Sequence, residues 1–197
     1  MKINILERWD ITIEELTQLV DENPSLRGFI MGYLAEYKMR QYLIANPLIT
    51  NLRKFDDHDR KNKHDLVVAY KGKDFSFEFK SLQTNTIIKT SDETYTAVFQ
   101  CDASDKRKIE LPDGRFVETT CLRFGDFDIV GVSIFHFTNK WEFAFALNRD
   151  LPMSQYKKYP DEIRCQLIKS SIPITYPIQP PFVSDPVLLL EYLYLER

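Results

Sequence analysis

The sequence predicts an α/β fold, a mixed β-sheet flanked by helices with an inserted β-hairpin. Helix signals fill the first 45 residues, whereas β-branched and aromatic residues with period-two spacing recur between residues 65 and 147. A strong turn signal at 112–115 marks the inserted hairpin. A chain of 197 residues falls in the size range of one domain, so we expect a single domain over 1–197.

Two helices are predicted before the first strand. Thr12, with Glu15 three residues later, forms a capping-box pattern, which predicts a helix running to about Asn23. Ser25 is expected to cap a second, longer helix over 26–45, which ends at an Asn-Pro pair.

One carboxylate in the second helix occupies an unusual position. Glu36 lies at helical spacing in a stripe whose other members should face the core. That stripe consists of Phe29, Gly32, Met39 and Leu43. A carboxylate there is a candidate for a chemical role, and the alternative is a boundary position from which it reaches solvent.

The middle of the chain predicts a β-hairpin. After the polar stretch Asn51–Lys63, which is expected to be a loop, Asp65–Tyr70 and Phe75–Leu82 have the composition of strands joined by a tight turn. In the second strand three phenylalanines alternate with polar residues, so the aromatic rings share one face. Glu78 and Lys80 therefore project together from the other face.

The remaining elements follow from apolar runs and turn signals. They are a strand at Tyr95–Cys101, strands at Ile109–Leu111 and Phe116–Cys121 around the turn, a central hairpin of Phe127–Phe137 with Trp141–Leu147, a helix at Asp161–Lys169 and an extended segment at Pro173–Pro186. The apolar end, Val187–Leu195, is expected to be buried in this core or against a second subunit.

Composition excludes several classes of protein. The start, Met1–Glu7, lacks the apolar run of a signal peptide, and no segment approaches the roughly 18 apolar residues of a membrane span. We therefore expect a cytoplasmic protein without a membrane partner. Cys101, Cys121 and Cys165 are odd in number and widely separated, which argues against a disulfide framework and predicts small buried residues.

The net charge of −3 does not by itself suggest a nucleic-acid partner, since proteins that bind phosphate backbones usually carry a basic patch. Basic residues do concentrate in the middle third of the chain, at Arg53–Lys63, Lys71–Lys73 and Lys106–Lys108, but acids are interleaved with them. A basic face therefore depends on how the chain folds.

Asp65 and Glu78 meet the requirements of a magnesium site. Mg²⁺ prefers oxygen ligands, usually one or two carboxylates, with waters and substrate phosphate in the remaining positions. The two residues are 78 − 65 = 13 positions apart across a tight turn, so the hairpin can bring both carboxylates to one point, where the carbonyl of Phe79 could add an oxygen. Lys80 can orient or help deprotonate a water that attacks a phosphodiester, and its charge favours the pentavalent phosphate.

These residues resemble the PD-(D/E)xK nuclease superfamily, in particular type II restriction endonucleases. His64-Asp65 matches the acidic half of the motif, with histidine in place of the usual proline, and Glu78-Phe79-Lys80 matches the second half. Glu36 matches the upstream helix acid of the family. The resemblance covers about 25–83 and implies a restriction-endonuclease-like core with Asp65, Glu78, Lys80 and Glu36 as catalytic residues. It also implies Mg²⁺, with Mn²⁺ as a substitute.

The same resemblance implies double-stranded DNA as the substrate and a two-fold homodimer with one metal site per strand. A restriction enzyme would also have a companion DNA methyltransferase. Base reading requires contacts beyond the metal site, and the basic loop and the inserted hairpin are suited to it. The candidate DNA contacts are Gln83, Lys61, Lys63 and Arg115.

Three alternatives remain open. The chain could be a repair, recombination or mobile-element nuclease of the same superfamily, or a non-catalytic nucleic-acid-binding protein with this fold. It could also be an unrelated α/β protein in which Glu78 and Lys80 form the exposed face of an edge strand and Asp65 caps a strand. Gln83 could simply be a polar residue that leaves the strand.

Other polar residues give weaker signals. Asp126 and Asp128 are more simply explained by a loop that leads into the sheet than by a metal site. His58 and His64 do not fit an HD-type phosphohydrolase, because such sites use several histidines on helices and His136 lies in a predicted strand.

Overall fold

A computed structural model describes residues 4–54, 64–110, 114 and 116–197 of the chain. The helices in these ranges are α1 (Ile5–Trp9), α2 (Ile13–Glu22), α3 (Pro24–Ile44), α4 (Phe135–Thr138), α5 (Asp161–Arg164) and α6 (Pro186–Glu196). The strands are β1 (Ile49–Lys54), β2 (Leu66–Tyr70), β3 (Lys73–Ser81), β4 (Ile88–Ser91), β5 (Thr94–Gln100), β6 (Asp102–Glu110), β7 (Phe116–Cys121), β8 (Ile129–Ser133), β9 (Phe143–Leu147) and β10 (Ser171–Tyr176).

Five strands form the central sheet, in the order β1, β2, β3, β8, β9. Neighbouring strands are antiparallel except β3 and β8, which are parallel. Helices α3 and α6 pack against this sheet. The predicted fold class, a mixed sheet flanked by helices, is therefore confirmed.

The predicted hairpin is formed by β2 and β3. Lys71 and Gly72 make a two-residue turn in which both have positive φ, 48° and 79°, the conformation whose twist matches the adjoining strands. Pairing runs from Tyr70↔Lys73 to Leu66↔Phe77. Because the turn needs only two residues, β3 begins two positions earlier than predicted.

The central sheet has a core on each face. On the side of α3 and α6, Phe75 and Phe77 are fully buried, which confirms the aromatic face predicted for β3. On the other side, an antiparallel sheet in the order β10, β5, β4 packs over residues of β8 and β9, including Val130. Since side chains alternate along a strand, Glu78 and Lys80 face this second layer.

The inserted hairpin is formed by β6 and β7, as predicted. The strands pair from Glu110↔Phe116 to Asp102↔Cys121, with a register shift between Asp102 and Arg107. The first strand is longer than its prediction, and residues 111–113 and 115 of the turn lie outside the described residues.

Helices α2 and α3 agree with their predictions except at one cap, whereas the short helix α1 was not predicted. The Thr12 hydroxyl accepts a hydrogen bond from the Glu15 amide at 3.1 Å, and Glu15 accepts one from the Thr12 amide at 2.8 Å, which confirms the capping box. The prediction for Ser25 was wrong, because α3 already begins at Pro24 with Asn23 in the cap position. Proline favours the first helical position, since its φ is preset and it lacks the amide that would go unpaired there.

Residues 51–54 were predicted as loop but belong to strand β1, which is an edge of the central sheet. An edge strand can carry polar residues because one face and one edge meet solvent, and these residues are mostly exposed. The polar composition therefore concealed the strand. The rest of the predicted loop, 55–63, lies outside the described residues.

Two later elements are shorter than predicted. The strand expected over 127–137 ends at Ser133, and His136 lies in the short helix α4. The two strands of this predicted central hairpin do pair, antiparallel. Helix α5 ends well before Lys169, because Leu167 and Ile168 form β-bridges and are fully buried.

The C-terminal segment is helical and partly buried. Leu190 of α6 is fully buried in the core beneath it, whereas Leu188, Tyr192 and Leu195 are exposed. The predicted burial of this tail in the core is thus confirmed for one face of the helix.

The three cysteines are free thiols. Cys101 and Cys121 are buried as predicted, but the prediction for Cys165 was wrong, because it follows the short exposed turn of α5. No helix in the described residues is both long enough and apolar enough to span a membrane.

Candidate active site

Asp65 lies immediately before β2, where the regular pairing with β3 ends. Its amide donates to the carbonyl of Phe77 at 3.0 Å, and its Oδ2 accepts a hydrogen bond from the amide of Phe79 at 2.7 Å. A side-chain carboxylate thus bonds a β3 amide beyond the last regular strand pair, Leu66↔Phe77. This bond fixes Asp65 beside the strand that carries Glu78.

Glu78 and Lys80 lie together on β3, the middle strand of the central sheet. Lys80 Nζ is 2.7 Å from Glu78 Oε1, and it donates to the carbonyl of Asp102 at 3.0 Å. Glu78 is only 6% exposed. The alternative in which these two residues form the exposed face of an edge strand is therefore wrong.

Burial dominates the electrostatics of this pair. The pKa of Glu78 is raised to about 7, chiefly by burial and in part by nearby Asp65, while Lys80 acts against both. For Lys80, burial lowers the pKa, but the charges of Glu78 and Asp65 outweigh that effect and the net shift is upward. The lysine therefore stays an ammonium at neutral pH, and one cation does not fully compensate two adjacent carboxylates.

The inserted hairpin begins beside this pair, since Lys80 bonds the carbonyl of Asp102, the first residue of β6. Arg107 of β6 pairs with Asp126 through Nη1 and Oδ2 at 2.6 Å, and its charge helps lower the pKa of Glu78. Asp126 also accepts the Arg123 amide at 3.0 Å. Sequence reasoning missed Arg107 as part of this site. The signal was present, since Arg107 alternates with exposed Lys106 and Lys108 and must face inward.

Asp126 and Asp128 hold the loop that leads into β8, in agreement with their prediction. Asp128 Oδ2 accepts hydrogen bonds from the Ser76 amide at 2.8 Å and from the Ser76 hydroxyl at 2.9 Å. Its other oxygen accepts from Arg197 near the end of the chain. These bonds join the start of β3 to the entry of β8.

Glu36 lies between α3 and β1. Its Oε1 is 3.0 Å from Lys54 Nζ and 3.6 Å from Arg40 Nε. Of its predicted stripe, Met39 and Leu43 are fully buried, whereas Phe29 and Gly32 are exposed, because only the second half of α3 reaches the core. Glu36 thus forms ion pairs with a base of the helix and a base of the edge strand, and its catalytic role stays a prediction.

The candidate DNA contacts are only partly described. Gln83 is half-buried just beyond β3, and its amide donates to the carbonyl of Val98 at 2.9 Å. Lys61, Lys63 and Arg115 lie outside the described residues, as does His58.

The residues present fit a magnesium ion held by few protein ligands. Across the ranges that the structure describes, no group of three or more His, Cys, Asp or Glu side chains is arranged to hold a metal. Asp65 and Glu78 nevertheless give two adjacent carboxylates with incomplete charge compensation, and Mg²⁺ commonly binds one or two carboxylates and takes its other oxygens from water and phosphate. One oxygen of Asp65 accepts the hydrogen bond from the Phe79 amide, and the other oxygen would be a ligand for the ion.

Comparison with known proteins gives one structural similarity. A bacterial homing endonuclease of known structure resembles this chain with a TM-score of 0.40 and 15% sequence identity, over 68% of this chain and 85% of that chain. A similarity of this size assigns neither a family nor an activity. No protein-family model and no curated protein matches the sequence.

Proposed function

We propose that this protein is a magnesium-dependent DNA endonuclease of the PD-(D/E)xK type, with Asp65, Glu78 and Lys80 as its catalytic residues. The observation that carries the proposal is the convergence of these three side chains on one hairpin. Asp65 is bonded to the strand that bears the other two, and Glu78 is buried against Lys80. This arrangement supplies two metal-binding carboxylates next to a fixed positive charge.

In this proposal the carboxylates of Asp65 and Glu78 hold Mg²⁺, and the carbonyl of Phe79 is a further candidate ligand. When bound, the ion would supply a Lewis acid for the phosphate and lower the pKa of a bound water. Mn²⁺ has similar oxygen-ligand preferences and is expected to substitute.

Lys80 serves in this proposal as a positioned cation. Because its pKa is raised, it is poorly suited to remove a proton from water at neutral pH. Its ammonium group would instead stabilise the charge that builds on the phosphate and orient the attacking water. Of the two roles predicted for this lysine, the raised pKa favours the electrostatic one.

Glu36 is proposed as an accessory carboxylate, a weaker assignment than the other three. It is 3.0 Å from Lys54, the last described residue before the basic loop. The proposed DNA contacts are Lys61, Lys63, Gln83 and Arg115, as the sequence predicted.

The proposed substrate is double-stranded DNA, cut by a homodimer with one site per strand. If the enzyme is a restriction endonuclease, a DNA methyltransferase of matching specificity should be encoded beside it. If no methyltransferase gene is adjacent, a repair, recombination or mobile-element nuclease becomes the better assignment, with the same chemistry.

A second candidate function is a non-catalytic nucleic-acid-binding protein with this fold. The observation that favours it is the closure of the site, since Glu78 is 6% exposed and Lys80 is bonded to the Asp102 carbonyl of the hairpin strand β6. Little of either side chain is therefore open to a phosphodiester, since their exposed fractions are 8% and 17%.

The test is a cleavage assay on varied unmethylated DNA in Mg²⁺, with and without EDTA. Lys80→Met and Asp65→Asn should each lower the rate at least a hundredfold, about 3 kcal/mol of transition-state stabilisation. Lys73→Met and Asp74→Asn change the same residue types on the same hairpin, away from the site, and should cleave like the unaltered protein.

Thermal unfolding of each variant checks that the fold is intact. Discrete fragments that disappear with EDTA and with both site variants would support a sequence-specific nuclease, and random degradation with the same dependence would support a processing nuclease. Absence of cleavage with both Mg²⁺ and Mn²⁺, from a protein that still binds DNA, would favour the non-catalytic function.

A further inference from the structure

Arg107 brings a second cation to the candidate active site. Its side chain is 27% exposed, compared with 17% for Lys80 and 8% for Glu78. It lies close enough to Glu78 to lower the pKa of that carboxyl. Lys80 is already bonded to Glu78 and to the carbonyl of Asp102. Of the two cations, Arg107 is therefore the more accessible to a substrate.

A bulge in the inserted hairpin places Arg107 on the inner face of that hairpin. Between Asp102 and Arg107, β6 has 107 − 102 − 1 = 4 residues, whereas the facing stretch of β7 has 121 − 119 − 1 = 1. Arg107 lies directly opposite Thr119, so the two side chains share a face, and Thr119 is only 2% exposed. In a regular ladder the residue three positions earlier would lie there. Bulges of this kind often re-aim a side chain beside an active site.

One side of the Arg107 guanidinium is fixed by Asp126. Nη1 donates to Asp126 Oδ2 at 2.6 Å, and the same oxygen accepts the Arg123 amide at 3.0 Å. The Asp126 side chain is 6% exposed, so the carboxylate that holds Arg107 is itself fixed in the loop before β8. Within the described part of the chain the guanidinium makes no other hydrogen bond, although it has five N–H donors. Donors remain for a further acceptor.

A phosphate is the acceptor that this group suits best. A guanidinium presents parallel N–H donors that match two oxygens of a phosphate, and it keeps its charge at every working pH. Because Asp126 already fixes one nitrogen, the other donors are oriented before the substrate arrives, which is the condition for strong electrostatic stabilisation. Lys80 supplies a single point charge, whereas Arg107 would also set the orientation of the phosphate.

We propose that the guanidinium of Arg107 binds the scissile phosphate of the DNA, with Asp126 as the positioning residue that holds it. The proposal rests on the proposed function for its substrate, a phosphodiester. It adds a contact from the inserted hairpin, so that the hairpin contributes to the active site itself. The competing explanation is an ion pair that only joins β6 to the loop before β8.

The first test is the salt dependence of DNA binding, measured by fluorescence anisotropy with a labelled duplex, in EDTA and again in Ca²⁺. Each phosphate contact contributes about 0.9 to the slope of log K against log salt concentration, so Arg107→Gln should lower the slope by about that amount. Binding should weaken about tenfold or more, as expected for a charged hydrogen bond. Arg107→Lys keeps the charge and should keep the slope.

The matched control is Arg164→Gln. The Arg164 side chain is 25% exposed and forms an ion pair with Asp161, so this variant removes an arginine of similar exposure from a similar pair in α5. Its salt slope and affinity should equal those of the unaltered protein.

A double variant separates the phosphate contact from a structural ion pair. Loss of Arg107 alone leaves Asp126 buried without its cation, which destabilises a fold. Arg107→Gln with Asp126→Asn removes both charges and should recover most of the stability, measured by urea unfolding. If the pair is only structural, DNA binding should recover together with stability. If Arg107 binds phosphate, stability should recover while the salt slope stays low.

The cleavage assay gives a second readout. Arg107→Gln should lower kcat about a hundredfold, the effect of losing one donor to the charge that develops on the substrate. Arg107→Lys should lower kcat less, because lysine keeps the charge but not the paired donors.

An unchanged salt slope in Arg107→Gln, a double variant that regains DNA binding, or an unaltered protein that binds no DNA would overturn the proposal. Cleavage by the unaltered protein together with an unchanged slope in Arg107→Gln would contradict the role of Arg107 and leave the nuclease function standing. DNA binding without cleavage, with a slope that falls in Arg107→Gln, would support the phosphate contact and reject the nuclease function.

Discussion

Replacement of Glu78 by glutamine should change how the stability of the fold depends on pH. Glu78 has a pKa of about 7 in the folded protein because it is buried, against an ordinary value of 4.5. Between these values the folded state keeps the proton and the unfolded state releases it, so the free energy of unfolding falls as pH rises. At about 1.4 kcal/mol per pH unit, the loss is about 3 kcal/mol by pH 7, and it persists above that pH.

The assay is urea unfolding between pH 4 and 8.5 in EDTA, for the unaltered protein and for Glu78→Gln. Glutamine keeps the size of the side chain and an acceptor for Lys80, but it does not titrate. The free energy of unfolding of the unaltered protein, minus that of Glu78→Gln, should therefore fall by about 3 kcal/mol between pH 4 and pH 8.5. His64 and His136, whose pKa values are lowered by burial, titrate in both proteins and cancel.

Glu191→Gln is the control with the opposite sign. Lys71 and Tyr70 hold the pKa of the exposed Glu191 carboxylate below its ordinary value. Its stabilising contribution is present above pH 4.5 and is lost as pH falls. The free energy of unfolding of the unaltered protein, minus that of Glu191→Gln, should therefore rise with pH at the acidic end of the window. If the free energy difference between the unaltered protein and Glu78→Gln changes by less than about 0.5 kcal/mol over this pH range, the raised pKa of Glu78 is refuted.

Three further predictions concern the metal and the packing around the site. Mg²⁺ should raise the melting temperature of the unaltered protein, measured by calorimetry, because an ion that binds the folded state stabilises it. It should not raise the melting temperature of Asp65→Asn, and equal shifts in the two proteins would argue against Asp65 as a metal ligand. Gly131→Ala should cost about 1–3 kcal/mol in urea unfolding, since the added Cβ would lie 2.5 Å from Met39 Sδ, and Met39→Ala in the same protein should recover part of that loss. Gly72→Ala should cost about 1 kcal/mol because its φ is +79°, whereas Gly72→Asn, measured in the same way, should cost less.

The hairpin of β2 and β3 was predictable because its signals are local. A two-residue turn, alternating phenylalanines and a polar opposite face together determine which side chains share a side of the strand. Glu78 and Lys80 therefore lie where the alternation places them. Asp65 was predicted to lie close to them, but its bond to the Phe79 amide depends on where the pairing of the two strands ends, which composition does not reveal.

Other features depend on contacts between distant segments. Strand β1 looks like a loop because its residues are polar, and only its pairing with β2 makes it a strand. Arg107 lies close enough to Glu78 to lower its pKa, and its ion pair with Asp126 joins two segments that are distant in the sequence. Helix α5 is cut short because Leu167 and Ile168 are drawn into the core by β-bridges.

The burial of Glu78 with Lys80 is difficult to explain by stability. A buried ion pair loses the hydration of both charges, and well-packed apolar residues of similar size are often equally or more stabilising. Here the imbalance is greater, because Asp65 adds a second carboxylate and the pKa of Glu78 rises to about 7 in spite of its cation. β3 already packs Phe75 and Phe77 on its other face, so the fold does not need charges at positions 78 and 80 to bury apolar area. The charges of Glu78 and Lys80 in the centre of β3, beside Asp65, therefore do little to stabilise the fold. Binding of a ligand by these charges explains their presence better.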